Sequence, residues 1–373
     1  MLAIGLMSGT SLDGVDACLV EIKKAKFKLL DFITYPYSDA LKKRIMQNLS
    51  NETAKLAEVS SLNFELSYEF VKAIDALLEK SGYSYSDISY VASHGQTIWH
   101  DPDGVKCENA VPNTLQIGSA SVINQLTGIM VVSNFRCKDI AAGGQGAPLV
   151  PFSEYYLYKK KDQNLVFQNI GGISNLTYIK KNAKMDDVVS FDNGVGNIMI
   201  DYFTNKYFNM PYDKDGNIAS SGKVIGEVLE YLKKDEYIYL PYPKSTGREK
   251  YSKEFMEDMA SKLDFDKYDK KDIITTITEF TAYSIGYSYL NFIKDIDLAI
   301  ISGGGSHNKY LMKRIEEIAN VKVISGDEYG INSDAKEAVA FTVLGYMTLN
   351  MKASNIKSAT GAKEDVILGD ITI

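Results

Sequence analysis

The sequence predicts an α/β protein built as two lobes, on three observations. Short apolar, β-like runs alternate with long helical stretches along 373 residues, a length that favours two domains over one. A glycine turn between two apolar runs occurs once in each half, in residues 5–14 and again at Gly171-Gly172. A third glycine loop, Gly303-Gly304-Gly305, follows a buried-type strand and opens a helix.

The elements justify this reading in order. The apolar run beginning at Ala3 and that of residues 17–22 flank a loop rich in glycine and hydroxyl groups, including Gly9-Thr10-Ser11-Leu12-Asp13-Gly14, and read as strand, turn, strand; residues 27–37 continue that sheet. In residues 51–80 the period changes: Leu56, Val59, Leu62, Leu66, Phe70, Ile74 and Leu77 recur at helical spacing, and Gly82 stops the pattern. Residues 88–92 form a short strand that ends at a loop carrying His94, Gln96 and Trp99, and residues 114–118 form another strand end. Residues 119–126 read as helix and 129–132 as strand. Residues 134–151 fit no regular element, and a loop of that length marks function or a boundary. The second hairpin takes residues 165–179. A strand over 188–191 enters Asp192-Asn193-Gly194-Val195-Gly196-Asn197, and helices follow at 198–207, 253–263 and 273–293. A strand at 298–302 leads into Gly303-Gly304-Gly305, with helices at 309–319 and 334–352. The expected lobes are residues 1–135, joined by 353–373, and residues 136–352.

Composition narrows the function classes. Hydrophobic residues make up 45% of the chain, enough for real cores, and the formal net charge of −7 argues against nucleic acid or an anionic membrane as partner. Cys18, Cys107 and Cys137 are scattered without a Cys-x-x-Cys pair, which points to a reducing compartment, and the first strand begins without a leader. A soluble cytoplasmic protein is expected.

The glycine loops carry the first chemistry. Glycines let backbone N–H groups approach an anion, and the hydroxyls of Thr10 and Ser11 add donors. No Lys follows the glycines and no helix follows the loop, so this is not a P-loop. It reads as an anion-binding hairpin or as an ordinary turn; Asp13 and Asp16 beside it hold a cation through water or shape the turn. With its counterpart at Gly171-Gly172 and the Gly303-Gly304-Gly305 loop, it would cradle a nucleotide between two lobes. Asp192 is a hairpin-turn residue or a base. Asp334 and Glu337 fit a capping box. His94 and His100 lack a third ligand at zinc spacing, so no direct metal ligand is assigned.

These residues fall in motifs that resemble those of the anhydro-N-acetylmuramic acid kinases, in the sugar kinase/actin/hexokinase superfamily. The matching stretches are residues 7–16, 93–98, 139–151, 169–177, 213–216, 243–249 and 303–308, in family order over nearly the whole chain. The resemblance implies an actin/hexokinase-like (ribonuclease H-like) ATPase fold with its active site in the cleft between lobes, which would close on ATP and sugar. It implies ATP and Mg²⁺, the substrate 1,6-anhydro-N-acetylmuramic acid, a homodimer, and a role in peptidoglycan recycling. Water would open the 1,6-anhydro ring at C1 while O6 takes the γ-phosphoryl group, giving N-acetylmuramic acid 6-phosphate and ADP. An anhydro sugar has no free 6-hydroxyl, so the chemistry needs a base for water, as in an inverting glycosidase.

The resemblance assigns that base to Asp192. It assigns nucleotide binding to Gly9, Thr10, Ser11, Leu12, Asp13, Gly14, Val15 and Asp16, to Gly171 and Gly172, and to Gly303, Gly304 and Gly305. It assigns the sugar to His94, Gln96, Arg136 and Glu337. Two positions depart from the family pattern: Asn134 stands where Asp is usual, and Asn193-Gly194-Val195 stands for Thr-Gly-Pro. A nucleotide-gated scaffold and a kinase for an ordinary amino sugar are the rival readings, since this fold alone does not decide chemistry.

Overall fold

The computed structural model describes residues 1–9, 12–247 and 249–373. The chain forms two compact units, residues 1–158 with 334–373, and residues 159–333.

The first unit opens with β1 (Leu2–Ser8), β2 (Gly14–Lys23) and β3 (Lys26–Pro36), then α1 (Asp39–Gln47) and α2 (Leu56–Ser81). There follow β4 (Ile88–Asp101), β5 (Asn113–Ile117), α3 (Ala120–Thr127), β6 (Val131–Ser133), α4 (Cys137–Ala141) and α5 (Val150–Tyr158). The second unit holds β7 (Leu165–Ile170), β8 (Ile173–Ile179), β9 (Val189–Val195), α6 (Ile198–Phe208), α7 (Gly226–Leu232), α8 (Lys253–Lys262) and α9 (Lys270–Asn291). It ends with β10 (Leu298–Ser302), α10 (Lys309–Ala319), β11 (Val323–Ser325) and α11 (Gly326–Tyr329). The chain then returns to the first unit as α12 (Lys336–Leu349), α13 (Lys357–Thr360) and β12 (Asp370–Thr372).

The two sheets repeat one topology. In the first unit β1, β2 and β3 form an antiparallel meander, and β4 and β6 add in parallel on the other side of β1. In the second, β7, β8 and β9 form the meander, and β10 and β11 add in parallel beside β7. This duplicated order of three antiparallel strands and two parallel ones is the actin/hexokinase-like α/β architecture. β5 and β12 extend the first sheet only.

The helical stripe of α2 does what its spacing predicts from Leu62 onward. Leu62, Leu66, Phe70, Ile74 and Leu77 are buried against Ile4, Leu6, Val15 and Leu19 of the sheet. Leu56, at the first helical residue, is exposed. Gly82 closes α2 in the left-handed region at φ 73°, which costs a glycine little.

The other face of the first sheet takes α12, and one glycine permits it. A Cβ on Gly5 would lie 2.1 Å from the Ala338 carbonyl oxygen and 2.5 Å from Thr342 Oγ1. Gly5→Ala must push α12 off the sheet, and it is expected to cost about 1–3 kcal/mol, read as a lowered denaturant midpoint.

Several predicted boundaries change. Residues 93–101 are not a loop: β4 runs through them, bonded to β1 and β5 with register shifts that absorb the irregularity. Asp192 lies within β9, opposite Asn175, and not after the strand. Residues 134–151 contain α4 and the start of α5. The compact units also divide the chain after residues 158 and 333, where the sequence suggested 135 and 352. The physical cause is bonding between residues far apart in the chain. Buried Asp139 accepts from Asn355 Nδ2 and Thr360 Oγ1, and the buried pair Lys336–Glu154 (2.5 Å) ties α12 to α5.

Candidate active site

In the first unit the loop between β1 and β2 is anchored at its start. Ser8 Oγ donates to Gln96 Oε1 (2.6 Å) and shares a bond with Tyr37 OH (2.8 Å). Gln96, expected at the sugar, is thus a buried link between β1 and β4. Thr10 and Ser11 lie outside the described residues. Leu12 and Val15, expected at the nucleotide, belong to the apolar core. Gly9, Asp13, Gly14 and Asp16 line a cavity of about 270 Å³ together with Thr34, Asp334 and Glu337.

That cavity is acidic. Asp16 accepts from Thr34 Oγ1 (2.6 Å), yet burial holds its carboxyl above the ordinary range, and the nearby Glu337, Asp334 and Asp13 add to the effect. Phosphate oxygens do not enter such a place without a cation. The donor set is all oxygen and suits a hard ion that keeps its waters. No cluster of three metal-binding side chains is preformed among the described residues. The capping-box reading of Glu337 does not hold, because the N-cap of α12 is Ala335, which has no side-chain acceptor.

Arg136 lies in this unit, and its hydrogen-bond arrangement is unusual. Its Nε and Nη2 both donate to His94 Nε2 (3.0 and 2.9 Å), and Nη1 donates to the Gly146 carbonyl (2.7 Å). A guanidinium does not deprotonate, so Nε2 is the acceptor and Nδ1 carries the ring proton, donated to the Gly95 carbonyl (2.8 Å). Burial and the neighbouring Arg136 charge push the His94 imidazole well below its usual range, which keeps it neutral. Burial also lowers Arg136 to about 10, with Glu337 and Asp139 working against the change. The guanidinium therefore stays charged near neutrality while its hydrogen-bond partners are neutral.

The loop beside Arg136 is held by a residue that the sequence reading left without a role. Asp139 accepts from the Gly146 N–H (2.8 Å), which places the Gly146 carbonyl for Arg136. Asn134, at the family's usual Asp, takes a left-handed φ of 59° and donates to Asp370 Oδ2 (2.7 Å). Asn adopts that region readily.

The second unit brings three glycine-bearing stretches together. The Gly171 and Gly172 carbonyls accept from the N–H groups of Asn197 (2.7 Å) and Gly196 (2.9 Å), which seats the entry to α6 on the hairpin turn. Gly196 is required there, since its Cβ would lie 2.3 Å from the Gly171 oxygen. Asn197 Nδ2 donates to the Ile170 carbonyl (3.1 Å), and Gly305 packs on the Ile170 side chain. Gly171, Gly172, Gly303, Gly304 and Gly305 thus meet around Ile170 and Asn197.

Helix α9 supports this assembly from beneath. Thr281 Oγ1 donates to the Gly196 carbonyl (3.0 Å) and Ser284 Oγ to the Asn193 carbonyl (3.0 Å). The helix is buried on nearly every side, and Thr275, Thr276, Thr278 and Ser288 satisfy their hydroxyls on carbonyls one turn back.

Asp192 is mostly buried among these groups. Its Oδ2 accepts from the Thr246 N–H (2.9 Å), and its carbonyl accepts from Tyr237 OH (3.1 Å). Burial raises the carboxyl to about 6, against the lowering effect of the Thr246 bond and the Lys244 charge. A carboxylate poised there can accept a proton near neutral pH. Thr246, Tyr237 and Lys244 were not singled out from the sequence; the only signal for Lys244 and Thr246 was the stretch 243–249, quoted as a motif without roles, and Tyr237 had none.

Among the described residues no helix is long and apolar enough to cross a membrane. Comparison with known proteins gives the site its context. The solved structure of the Acidaminococcus fermentans (R)-2-hydroxyglutaryl-CoA dehydratase component A aligns with 92% of this chain and 96% of its own, at 12% identity and a TM-score of 0.48. The family model described as anhydro-N-acetylmuramic acid kinase matches residues 1–373. The anhydro-N-acetylmuramic acid kinase of Clostridioides difficile (strain 630) is 47% identical over 380 residues, covering 100% of this chain and 98% of that protein. That of Bacillus cereus (strain 03BB102) is 42% identical over 384 residues, covering 100% and 99%. Likeness at this level, with the family model matched over residues 1–373, shows that this chain belongs to the anhydro-N-acetylmuramic acid kinase family.

Proposed function

We propose that the chain uses ATP to open and phosphorylate 1,6-anhydro-N-acetylmuramic acid, with Asp192 as the base that activates water. The observation that carries the assignment is the Asp192 carboxyl itself: mostly buried, raised to about 6, and bonded through Oδ2. Water attacks C1 and gives its proton to Asp192. The C1–O6 bond breaks, and O6 takes the γ-phosphoryl group, so sugar, ATP and water become N-acetylmuramic acid 6-phosphate and ADP.

Arg136 binds the lactyl carboxylate, because a charged guanidinium with neutral partners favours an anion. His94 acts through Arg136, since both of its ring nitrogens are engaged. Nucleotide binding is assigned to the glycine stretches of the second unit and, separately, to Gly9 and its described neighbours in the first. Asp13, Asp16 and Glu337, through their waters, would hold Mg²⁺ in the acidic cavity, and the ion would supply neutralisation of phosphate charge. A homodimer in the cytoplasm, serving peptidoglycan recycling, completes the reading.

The test is incubation with ATP, Mg²⁺ and the anhydro sugar in oxygen-18 water. Label at C1 of a 6-phosphorylated product supports the proposal. Product formed only from N-acetylmuramic acid makes the chain an ordinary amino-sugar kinase, and no turnover on either sugar leaves a nucleotide-gated scaffold.

A further inference from the structure

Beside its pairing with Asn175 of β8, three hydrogen bonds tie Asp192 to one segment. Its N–H donates to the Lys244 carbonyl (3.2 Å), its carbonyl accepts from Tyr237 OH (3.1 Å), and its Oδ2 accepts from the Thr246 N–H (2.9 Å). Beyond a single helical turn at Glu236–Tyr239 this segment is irregular through residue 247. A backbone of that kind holds a carboxylate only as firmly as it is itself held.

The anchor is Lys244. Its Nζ donates to the carbonyls of Tyr237 and Ile238, both at 3.0 Å, and so closes the segment on itself. The same ammonium lies 4.8 Å from the Tyr237 ring centroid, 4.9 Å from Phe292 and 5.7 Å from Phe191. Three aromatic faces attract a desolvated cation. Phe191 is the residue before Asp192, and Tyr242 stacks on it with centroids 5.3 Å apart and planes 6° from parallel. The segment therefore grips β9 at two successive residues.

We propose that Lys244 is a positioning residue: its caged ammonium clamps residues 237–246 on β9 and through the Thr246 amide fixes the orientation of the Asp192 carboxylate. The inference rests on Asp192 being the base. Burial leaves the Lys244 ammonium near 8, so it is charged at neutral pH. The charged groups acting on it are Asp235 and Asp192. Asp235 is already occupied by Lys250 (2.8 Å) and Tyr251 OH (2.9 Å). The ionisable groups facing Asp192 from this segment are Lys244 and Tyr237.

The test compares Lys244→Met and Lys244→Arg. Methionine fills the cage but carries no charge and donates no hydrogen bond. It is expected to lower kcat about 10- to 100-fold, to leave KM for ATP within about twofold, and to move the acid limb of kcat/KM from near pH 6 towards about pH 7. The limb moves up because both groups that favour ionised Asp192, the Lys244 charge and the Thr246 N–H, are lost or loosened. Lys244→Arg restores charge and donors, and is expected to recover most of kcat.

If Lys244→Met does not fold, Tyr242→Leu decides. That ring is substantially exposed and outside the core, and its loss is expected to lower kcat about 3- to 10-fold with the same upward movement of the limb. Wild-type kcat with an unmoved limb in the folded variant overturns the clamp. Should Asp192→Asn retain full turnover, the base assignment itself fails, whatever Lys244→Met does. Should Asp192→Asn be inactive while Lys244→Met matches wild type, only the clamp falls.

Discussion

Asp192→Asn is expected to lower kcat by about 10²- to 10⁴-fold while the Kd for ATP stays within about twofold. The amide keeps the shape of the side chain, and its oxygen can still accept from Thr246, but it takes no proton from water. In the wild type, kcat/KM should rise with pH up to about 6 and then level, because the protonated acid below that point has no basic lone pair to offer. A pH series on both proteins checks this; full turnover in the variant would move the base elsewhere.

The same carboxyl links activity to stability, and the sign is fixed by its direction of shift. Its pKa is raised from an ordinary 3.8 to about 6 in the folded chain. The fold therefore favours the protonated form. That contribution is full below the unfolded value and is lost as pH rises through about 6. At neutral pH the ionised group costs on the order of 2–3 kcal/mol. Asparagine does not titrate, so the Tm of Asp192→Asn should gain on wild type between pH 4 and pH 7. An inactive variant more stable than its parent at neutral pH is the signature of a strained functional carboxylate.

Arg136→Met is the second large effect, and it falls on the sugar. With Arg136 pairing the lactyl carboxylate as proposed, its loss is expected to reduce kcat/KM for anhydro-N-acetylmuramic acid by about 10²- to 10³-fold, mainly through KM. The control is 1,6-anhydro-N-acetylglucosamine, which has the same ring and no lactyl acid. Turnover of that sugar should change far less. Arg136→Lys should recover only part of the loss, because one ammonium cannot reproduce the fork that holds His94 Nε2 and the Gly146 carbonyl at once. Equal losses on both sugars would make Arg136 a structural residue.

Hairpins and helices were the legible part of this fold. Both glycine turns sit between apolar runs, and the α2 stripe from Leu62 to Leu77 has a period that only a helix satisfies. What escaped the sequence is bonding between distant residues. The polar run from Ser93 to His100 reads as a loop because nothing local shows that β1 and β5 flank it. Asp192 reads as a turn residue because Asp-Asn-Gly is a turn sequence, yet it pairs with Asn175 of β8 inside a strand, and Ser284 of α9 bonds the next residue, Asn193. Asp139, Thr246 and the aromatic cage of Lys244 owe their positions to partners elsewhere in the fold, whose approach no local pattern announces. Candidate residue types could be named from the motifs, but the tautomer of His94 and the environment of Asp192 required coordinates.

The division of the chain has a consequence for biosynthesis. Residues 159–333 form their unit without interruption, whereas the first unit needs α12, which packs against the face of β1 at Gly5. A ribosome adding about 5–20 residues per second leaves that face uncovered for on the order of ten seconds or more after α5 is made. The inserted unit is complete first, and the unit that begins the chain is finished last. During that interval the nascent sheet exposes an apolar surface shaped for one particular helix, so conditions that slow translation late in the message should increase its capture by chaperones or its aggregation.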